Sequence, residues 1–215
     1  MTKKNKSLEV KCDELQRQLE EARKEVEYYQ WIAGEVGRRH LRETDQLSQF
    51  IIKQERTKEI DELTGLNNRK GFITLAEQQL KIARRNMREF SLLFADLDNL
   101  KLINDTLGHR EGDMALIANA NILKNCFRES DIKARLGGDE FTVLIVDCSI
   151  ETSTALNMRL QENIEEFNES RKSSYSLSLS AGLAHYEPRN PCSLNDLLDK
   201  ADLLMFEHKR SKKIH

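Results

Sequence analysis

Only two prolines occur in the 215 residues, Pro188 and Pro191, so no proline interrupts a helix anywhere in residues 1–60. Long apolar runs are also missing. No stretch approaches the ~18 uncharged apolar residues of a membrane-spanning helix. The N-terminal MTKKNKSLEV has basic residues but no apolar segment behind them, so no secretory signal is expected. Cysteine is sparse: Cys12, Cys126, Cys148 and Cys192 form no CxxC pair and no zinc-spaced cluster with histidine. Four reduced thiols in a cytoplasmic protein are the expectation. Charge of one sign is lacking too. With 34 Lys plus Arg against 36 Asp plus Glu, the net charge is −2. That excludes the strongly basic domain typical of bulk nucleic-acid binding. What remains is 39% hydrophobic and 33% charged residues, enough for one core plus a solvated helical appendage.

The appendage is residues 1–60, with 13 basic and 12 acidic residues. Apolar positions recur there at heptad spacing. One row runs Leu8, Leu15, Ala22, Tyr29 and Val36. The other runs Cys12, Leu19, Val26, Ala33, His40 and Leu47. Alternating gaps of three and four predict a coiled-coil seam and a homodimer through this helix. Weak seam members, and Gly34 and Gly37 at about 1 kcal/mol each in a helix interior, leave a kink or a helical hairpin open. A lone solvated helix is the plainer alternative, but it leaves its stripe wet.

Composition shifts at Asp61. DELTGLNNRKGF carries turn residues and reads as a linker into a helix over 69–88. SLLFADL (91–97) is a strand ending in acid. Helices follow over 99–108 and 112–127. Residues 132–136 and 141–147 are strands joined by Gly137-Gly138-Asp139-Glu140. A helix over 151–168, an alternating strand over 174–184 and a helix over 193–210 complete the pattern. Adjacent strands mixed with helices predict an α+β fold, helices packed on a sheet.

Chemistry concentrates at two strand ends. Asp96 and Asp98 are two apart, so a strand puts them on one face. Buried acids are costly unless paired or bound to metal. Asp139 and Glu140 stand at a Gly-Gly turn, where a ligand can approach without meeting a Cβ. Together they could hold a hard cation such as Mg²⁺, which takes oxygen ligands and bridges phosphates. Helix capping and turn formation would explain the same acids.

RLGGDEF (135–141) resembles the signature of the GGDEF diguanylate cyclase family. DELTGLNNR (61–69), FADLDNLKLINDTLGHREGD (94–113), RESD (128–131) and ADLLMFEHK (201–209) are similar to that family's other motifs, in order and at matching spacing. The resemblance divides the chain into a helical coiled-coil segment, 1–60, and a GGDEF domain, 61–215. It implies a central, mainly antiparallel sheet flanked by helices, as in nucleotidyl cyclases and polymerase palms. It also implies Mg²⁺-dependent condensation of two GTP into cyclic di-GMP and two pyrophosphates, across two facing domains.

The resemblance further implies residue roles. Asp96, Asp139 and the Leu97 carbonyl would hold two Mg²⁺ (Mn²⁺ substituting), with Glu140 in support, and the metals would activate the ribose 3′-hydroxyl. Backbone N–H groups of Asn99, Leu100 and Lys101 would cradle phosphates. Asn104 and Asp113 would read guanine. Arg135, Gly137 and Gly138 would border the substrate, and Lys209 and Lys213 would add positive charge. Arg128 and Asp131, with Arg159 from the next helix, would form an inhibitory cyclic di-GMP site. An ion pair at 128/131 and a solvated basic face at 209/213 are the bland alternatives. The chain departs from the family at Leu100 (usually Phe), at Phe206 (usually Tyr) and at Lys212-Lys213 (usually Gly-Arg). A lysine keeps the charge but loses the bidentate fork. A non-catalytic receptor for cyclic di-GMP or GTP is the competing function, and a scaffold built on the coiled coil is a third.

Overall fold

The computed structural model describes Arg17, Glu20 and residues 23–31, 33–35, 59–170 and 175–212. The chain divides into two compact units, Met1–Glu55 and Arg56–His215. In the first, all the described residues are helical. Val26, Tyr28, Tyr29 and Trp31 are each more than half exposed there. Of the expected seam only Val26, Tyr29 and Ala33 fall within the described residues. The coiled coil itself lies outside them.

The second unit runs α1 (Arg69–Asn86), β1 (Phe90–Leu97), α2 (Leu100–Leu107), α3 (His109–Cys126), β2 (Ile132–Gly137), β3 (Glu140–Val146), α4 (Ile150–Ser170), β4 (Leu179–Tyr186) and α5 (Leu194–Lys212). The four strands lie in the order β2-β3-β1-β4, and every neighbouring pair is antiparallel. β1 is central and buried along its whole length, which is why it reads as an unbroken apolar run. Its side chains nevertheless alternate. Leu93, Ala95 and Leu97 pack with α3 and α4 through Leu116, Leu123, Leu160 and Ile164. Phe90, Leu92 and Phe94 pack with α1 and α5 through Phe72, Ala76, Leu197 and Met205. The fold is therefore α+β, one antiparallel sheet between two helical layers.

Three local differences from the sequence pattern have physical reasons. The 61–68 stretch is a turn tied to the sheet: Asn67 bridges Ala134, and its N–H and side chain both donate to the Lys133 carbonyl. α3 begins at His109 because Gly108, at φ 89, swings the chain between α2 and α3. β4 begins at Leu179, well after 174. The Asn168 side chain satisfies both the Leu177 N–H and carbonyl, and the Ser178 carbonyl accepts from the Asp98 N–H.

Gly182 decides how closely α5 lies on β4. A Cβ there would sit 2.1 Å from the Ala201 carbonyl oxygen and 2.2 Å from the Met205 nitrogen. Asn119, in α3, is 1% exposed, and neither its Oδ1 nor its Nδ2 has a hydrogen-bond partner among the described residues. An unpaired buried amide costs about 1–3 kcal/mol. Asn119→Leu, similar in volume, is expected to raise the unfolding free energy by about 1–2 kcal/mol. Urea denaturation of the two proteins at equal m-value checks this, and a destabilised variant would reveal a partner for the amide.

Candidate active site

Asp96 continues the Phe90, Leu92, Phe94 row of β1 and so faces α5. It lies opposite Glu140 on β3 and Ser180 on β4. Only 8% exposed, it accepts a hydrogen bond from Lys209 Nζ at 2.5 Å. Lys209 is one helical turn beyond Met205, on the face of α5 that packs on the sheet. Burial pushes the Asp96 carboxyl above the usual carboxylate range, and the charges of Asp139 and Asp98 add to that against Lys209. Burial pulls Lys209 down, yet Asp96, Asp98 and Asp139 together hold its ammonium above the ordinary lysine value. Asp139 is the acid of the three with no ion pair among the described residues.

Asp98 lies just past the strand, and it too meets α5, but through a different lysine. It accepts from Lys212 Nζ at 3.1 Å, Ser178 Oγ at 2.7 Å and Ser180 Oγ at 2.8 Å. The two acids that the two-residue spacing put together thus have separate partners, Lys209 for Asp96 and Lys212 with two serines for Asp98.

The β2–β3 turn brings in Asp139. Gly138 takes φ 31 there. The Leu97 N–H donates to the Asp139 carbonyl at 2.9 Å, which ties the turn to the end of β1. Arg135 grips the same turn, donating from Nε and a terminal nitrogen to the Gly138 carbonyl at 3.0 and 2.8 Å and bonding Asp61 at 3.3 Å. Its guanidinium is thus engaged by the turn and the 61–68 motif. Burial works against the Asp61 carboxylate, but Thr64 and Arg135 outweigh it and hold it below 3.8. This contact stabilises the fold above that pH and is lost as pH falls through the depressed value. Glu140 is half-exposed, with Arg69 at 3.7 Å.

A cleft of about 420 Å³ opens beside these acids, lined by Asp98, Asn99, Leu100, Lys101, Asp139, Ser178, Lys209 and Lys212. Asn99 caps α2 in the left-handed region, at φ 61. The first intrahelical bond runs from Ile103 to Asn99, so the N–H groups of Leu100 and Lys101 have no acceptor within the helix. Lys213 lies outside the described residues. Asn104 and Asp113 come from the facing helices α2 and α3. The Asn104 amide presses against Gly112, where a Cβ would stand 1.8 Å from its Oδ1. Asp113 is exposed beside it.

At the other end of the sheet a second cavity, of about 390 Å³, is bordered by Arg128, Asp131 and Arg159. Arg128 is exposed and has no ion pair among the described residues, so the simple 128/131 pair does not form. Asp131 is buried. Its oxygens accept the Arg128 N–H at 2.9 Å and the Val146 N–H at 3.2 Å. Arg159 donates to the Cys126 carbonyl.

A family model described as diguanylate cyclase, GGDEF domain, matches residues 58–215. The chain belongs to the GGDEF diguanylate cyclase family. The diguanylate cyclase TpbB of Pseudomonas aeruginosa is 38% identical over 155 residues, covering 70% of this chain and 35% of TpbB. The probable diguanylate cyclase DgcJ of Escherichia coli is 32% identical over 152 residues, 71% of this chain and 29% of DgcJ. The chain thus spans about a third of the length of these two relatives. Among solved structures, the GGDEF domain of TpbB matches with a TM-score of 0.61 at 38% identity, over 71% of this chain and 89% of that one. The coiled coil and GGDEF domain of DgcB from Caulobacter crescentus, in complex with c-di-GMP, matches at TM-score 0.71 over 79% of this chain and 90% of that one. At 23% identity that second match shows the fold alone.

The donor set that the family resemblance implies, Asp96, Asp139 and the Leu97 carbonyl, is all oxygen, the ligand type that Mg²⁺ takes. Among the described residues no three His, Cys, Asp or Glu side chains gather to enclose an ion. Mg²⁺ is the cation that uses one or two carboxylates and completes its shell with water and substrate phosphate. Asp96, Asp139 and the Leu97 carbonyl could supply that partial shell. Three residues that hold this GGDEF site together escaped sequence reasoning. Gly112 admits the Asn104 amide, and Ser178 and Ser180 engage Asp98. The serines carry no motif. Their only signal is alternation in SYSLSLS, which puts them on one face of the strand.

Proposed function

We propose that this chain is an active diguanylate cyclase, condensing two GTP into cyclic di-GMP and two pyrophosphates with Mg²⁺, or Mn²⁺ in its place. The observation that supports this is that Asp96 and Asp139 stand at two adjoining strand ends beside a cleft that Asp139, Lys101, Lys209 and the α2 N-terminus line. Bound Mg²⁺ supplies Lewis acidity at phosphate and hydroxyl oxygens. The chain's own residues bind and orient. Asp96 and Asp139 hold the positive charge, and Glu140 supports the turn. The Leu100 and Lys101 N–H groups, with Lys209 and Lys213, take the triphosphate. Arg135 fixes the Gly137-Gly138 turn. Asn104 and Asp113 address guanine, whose N1–H and N2–H₂ edge suits a carboxylate and which adenine lacks. Residues 1–60 form the dimerising segment and 61–215 the catalytic domain. GTP incubated with Mg²⁺ across protein concentrations, with products separated, tests the reading. Cyclic di-GMP formation is expected. Binding of cyclic di-GMP without any GTP turnover would support the receptor instead.

Gly112→Ala should displace the Asn104 amide while leaving the helices packed. A misplacement of about 1 Å can cost ~10²-fold. We expect the GTP/ATP selectivity ratio to fall at least about tenfold. An unchanged ratio at full stability would remove Asn104 from guanine recognition.

The second cavity is proposed as the product-inhibitory site. Arg128 offers an unpaired guanidinium to a phosphate or guanine. Asp131 shapes the turn that presents it, and Arg159 closes the wall. Arg128→Ala is expected to weaken cyclic di-GMP binding by roughly tenfold or more, the worth of one charged hydrogen bond, with turnover retained. Calorimetry on wild type and variant decides it, and equal affinities would move the inhibitory site elsewhere.

A further inference from the structure

Lys212 has a more specific arrangement than a basic face requires. Its ammonium has three donors and no acceptor. All three find partners: Asp98 Oδ2 at 3.1 Å, Ser178 Oγ at 3.2 Å and the Leu179 carbonyl at 2.8 Å. These partners belong to two chain segments, and Lys212 comes from a third, the last turn of α5. Asp98 is equally committed. Its carboxylate accepts from Ser178, Ser180 and Lys212, and its N–H donates to the Ser178 carbonyl at 2.9 Å. The next residue, Asn99, stands in the left-handed region, which asparagine adopts more readily than other non-glycine residues. Asn99 caps α2, and Leu100 and Lys101, whose N–H groups have no acceptor within the helix, line the cleft beside it.

We infer that Lys212, Asp98, Ser178 and Ser180 form a clamp that sets the α2 N-terminal turn for triphosphate binding, with Lys212 a positioning residue that acts through Asp98. The substrate assignment rests on the proposed cyclase function; the clamp itself does not. Asp98 is buried while Lys212 reaches it from the exposed end of α5, so losing Lys212 removes the one cationic donor of a buried carboxylate and loosens Asp98 and with it the turn. Lys212 also lines the cleft, but its three donors are taken up by Asp98, Ser178 and Leu179, the arrangement of a strut rather than of a free phosphate ligand.

The test uses Lys212→Met, Lys212→Arg, Asp98→Asn and the Lys212→Met/Asp98→Asn double variant in the full chain. Lys212→Met should raise the KM for GTP about tenfold and change kcat by less than about threefold, since it alters positioning of bound phosphate and leaves the acids in place. Lys212→Arg should restore most of the loss. In the Asp98→Asn background Lys212→Met should add less than about twofold, because coupled residues are non-additive. Full additivity would mean that Lys212 touches phosphate itself, and that overturns the clamp. A second readout needs no nucleotide. Exchange of the Asp98 and Ile103 amide protons, which flank the turn, should quicken at least about tenfold in Lys212→Met while β3 amides keep their protection. Unchanged exchange at those two amides also overturns the clamp. If wild type neither binds nor converts GTP, the cyclase reading fails, and the exchange experiment still decides the clamp.

Discussion

Asp139→Ala is expected to abolish most GTP turnover, by on the order of 10³-fold or more. Metal stabilisation of charge in the transition state is worth several kcal/mol, and each 1.36 kcal/mol is a factor of ten. The substitution removes one of the two carboxylates available to the ion, and the remaining one, Asp96, is already bonded to Lys209. Folding should not suffer. Asp139 sits at a turn and is only half-buried, and its negative charge raises the Asp96 pKa. Taking it away relieves that repulsion, so the unfolding midpoint should stay level or rise slightly. Calorimetric titration of Mg²⁺ in the presence of a non-hydrolysable GTP analogue should show weakened binding in parallel with the lost rate. Turnover within tenfold of wild type would remove Asp139 from the metal site.

Deleting residues 1–55 is the other change with a large expected effect. The proposed reaction joins two GTP, and among the described residues the acids of one GGDEF domain border one cleft. Two domains must therefore face each other. On the proposed role of residues 1–60 as a tether, the two domains would experience an effective concentration in the mM range for short linkers. At about 1 µM free protein the same encounter is on the order of 10³ rarer. The truncated chain, which keeps the whole compact unit Arg56–His215, should bind GTP and turn it over slowly. Its rate per protein should rise with concentration. Light scattering with activity on the same samples checks both halves of this. A monomer with full, concentration-independent activity would leave residues 1–60 without a role in catalysis.

Much of the GGDEF domain is legible in its amino-acid order, since the signals involved are local. An apolar run of strand length predicts β1. Gly137-Gly138 between two such runs predicts the hairpin that carries Asp139 and Glu140. Period-2 alternation puts Asp96 on a definite face of its strand. The RESD motif is visible as Arg128 and Asp131 three apart, and the plain ion pair between them, the alternative reading, is absent among the described residues. Asp131 is buried on backbone N–H groups and Arg128 is left free.

Only the tertiary structure decided which partner each acid takes. Alternation says which face a side chain is on, but not which helix covers that face or at what height. Lys209 meets Asp96 across 113 positions, and Arg135 meets Asp61 across 74. Gly182 controls the height of α5: its missing side chain lets the helix backbone close on β4, and that contact delivers one lysine to Asp96 and the next to Asp98. The residue types were fixed by the amino-acid order, and so was the local turn chemistry. The packing of α5 on the sheet then assigned Lys209 to the proposed metal acid and Lys212 to the phosphate turn, because long-range contacts depend on how closely two surfaces approach and leave no periodic trace in the chain.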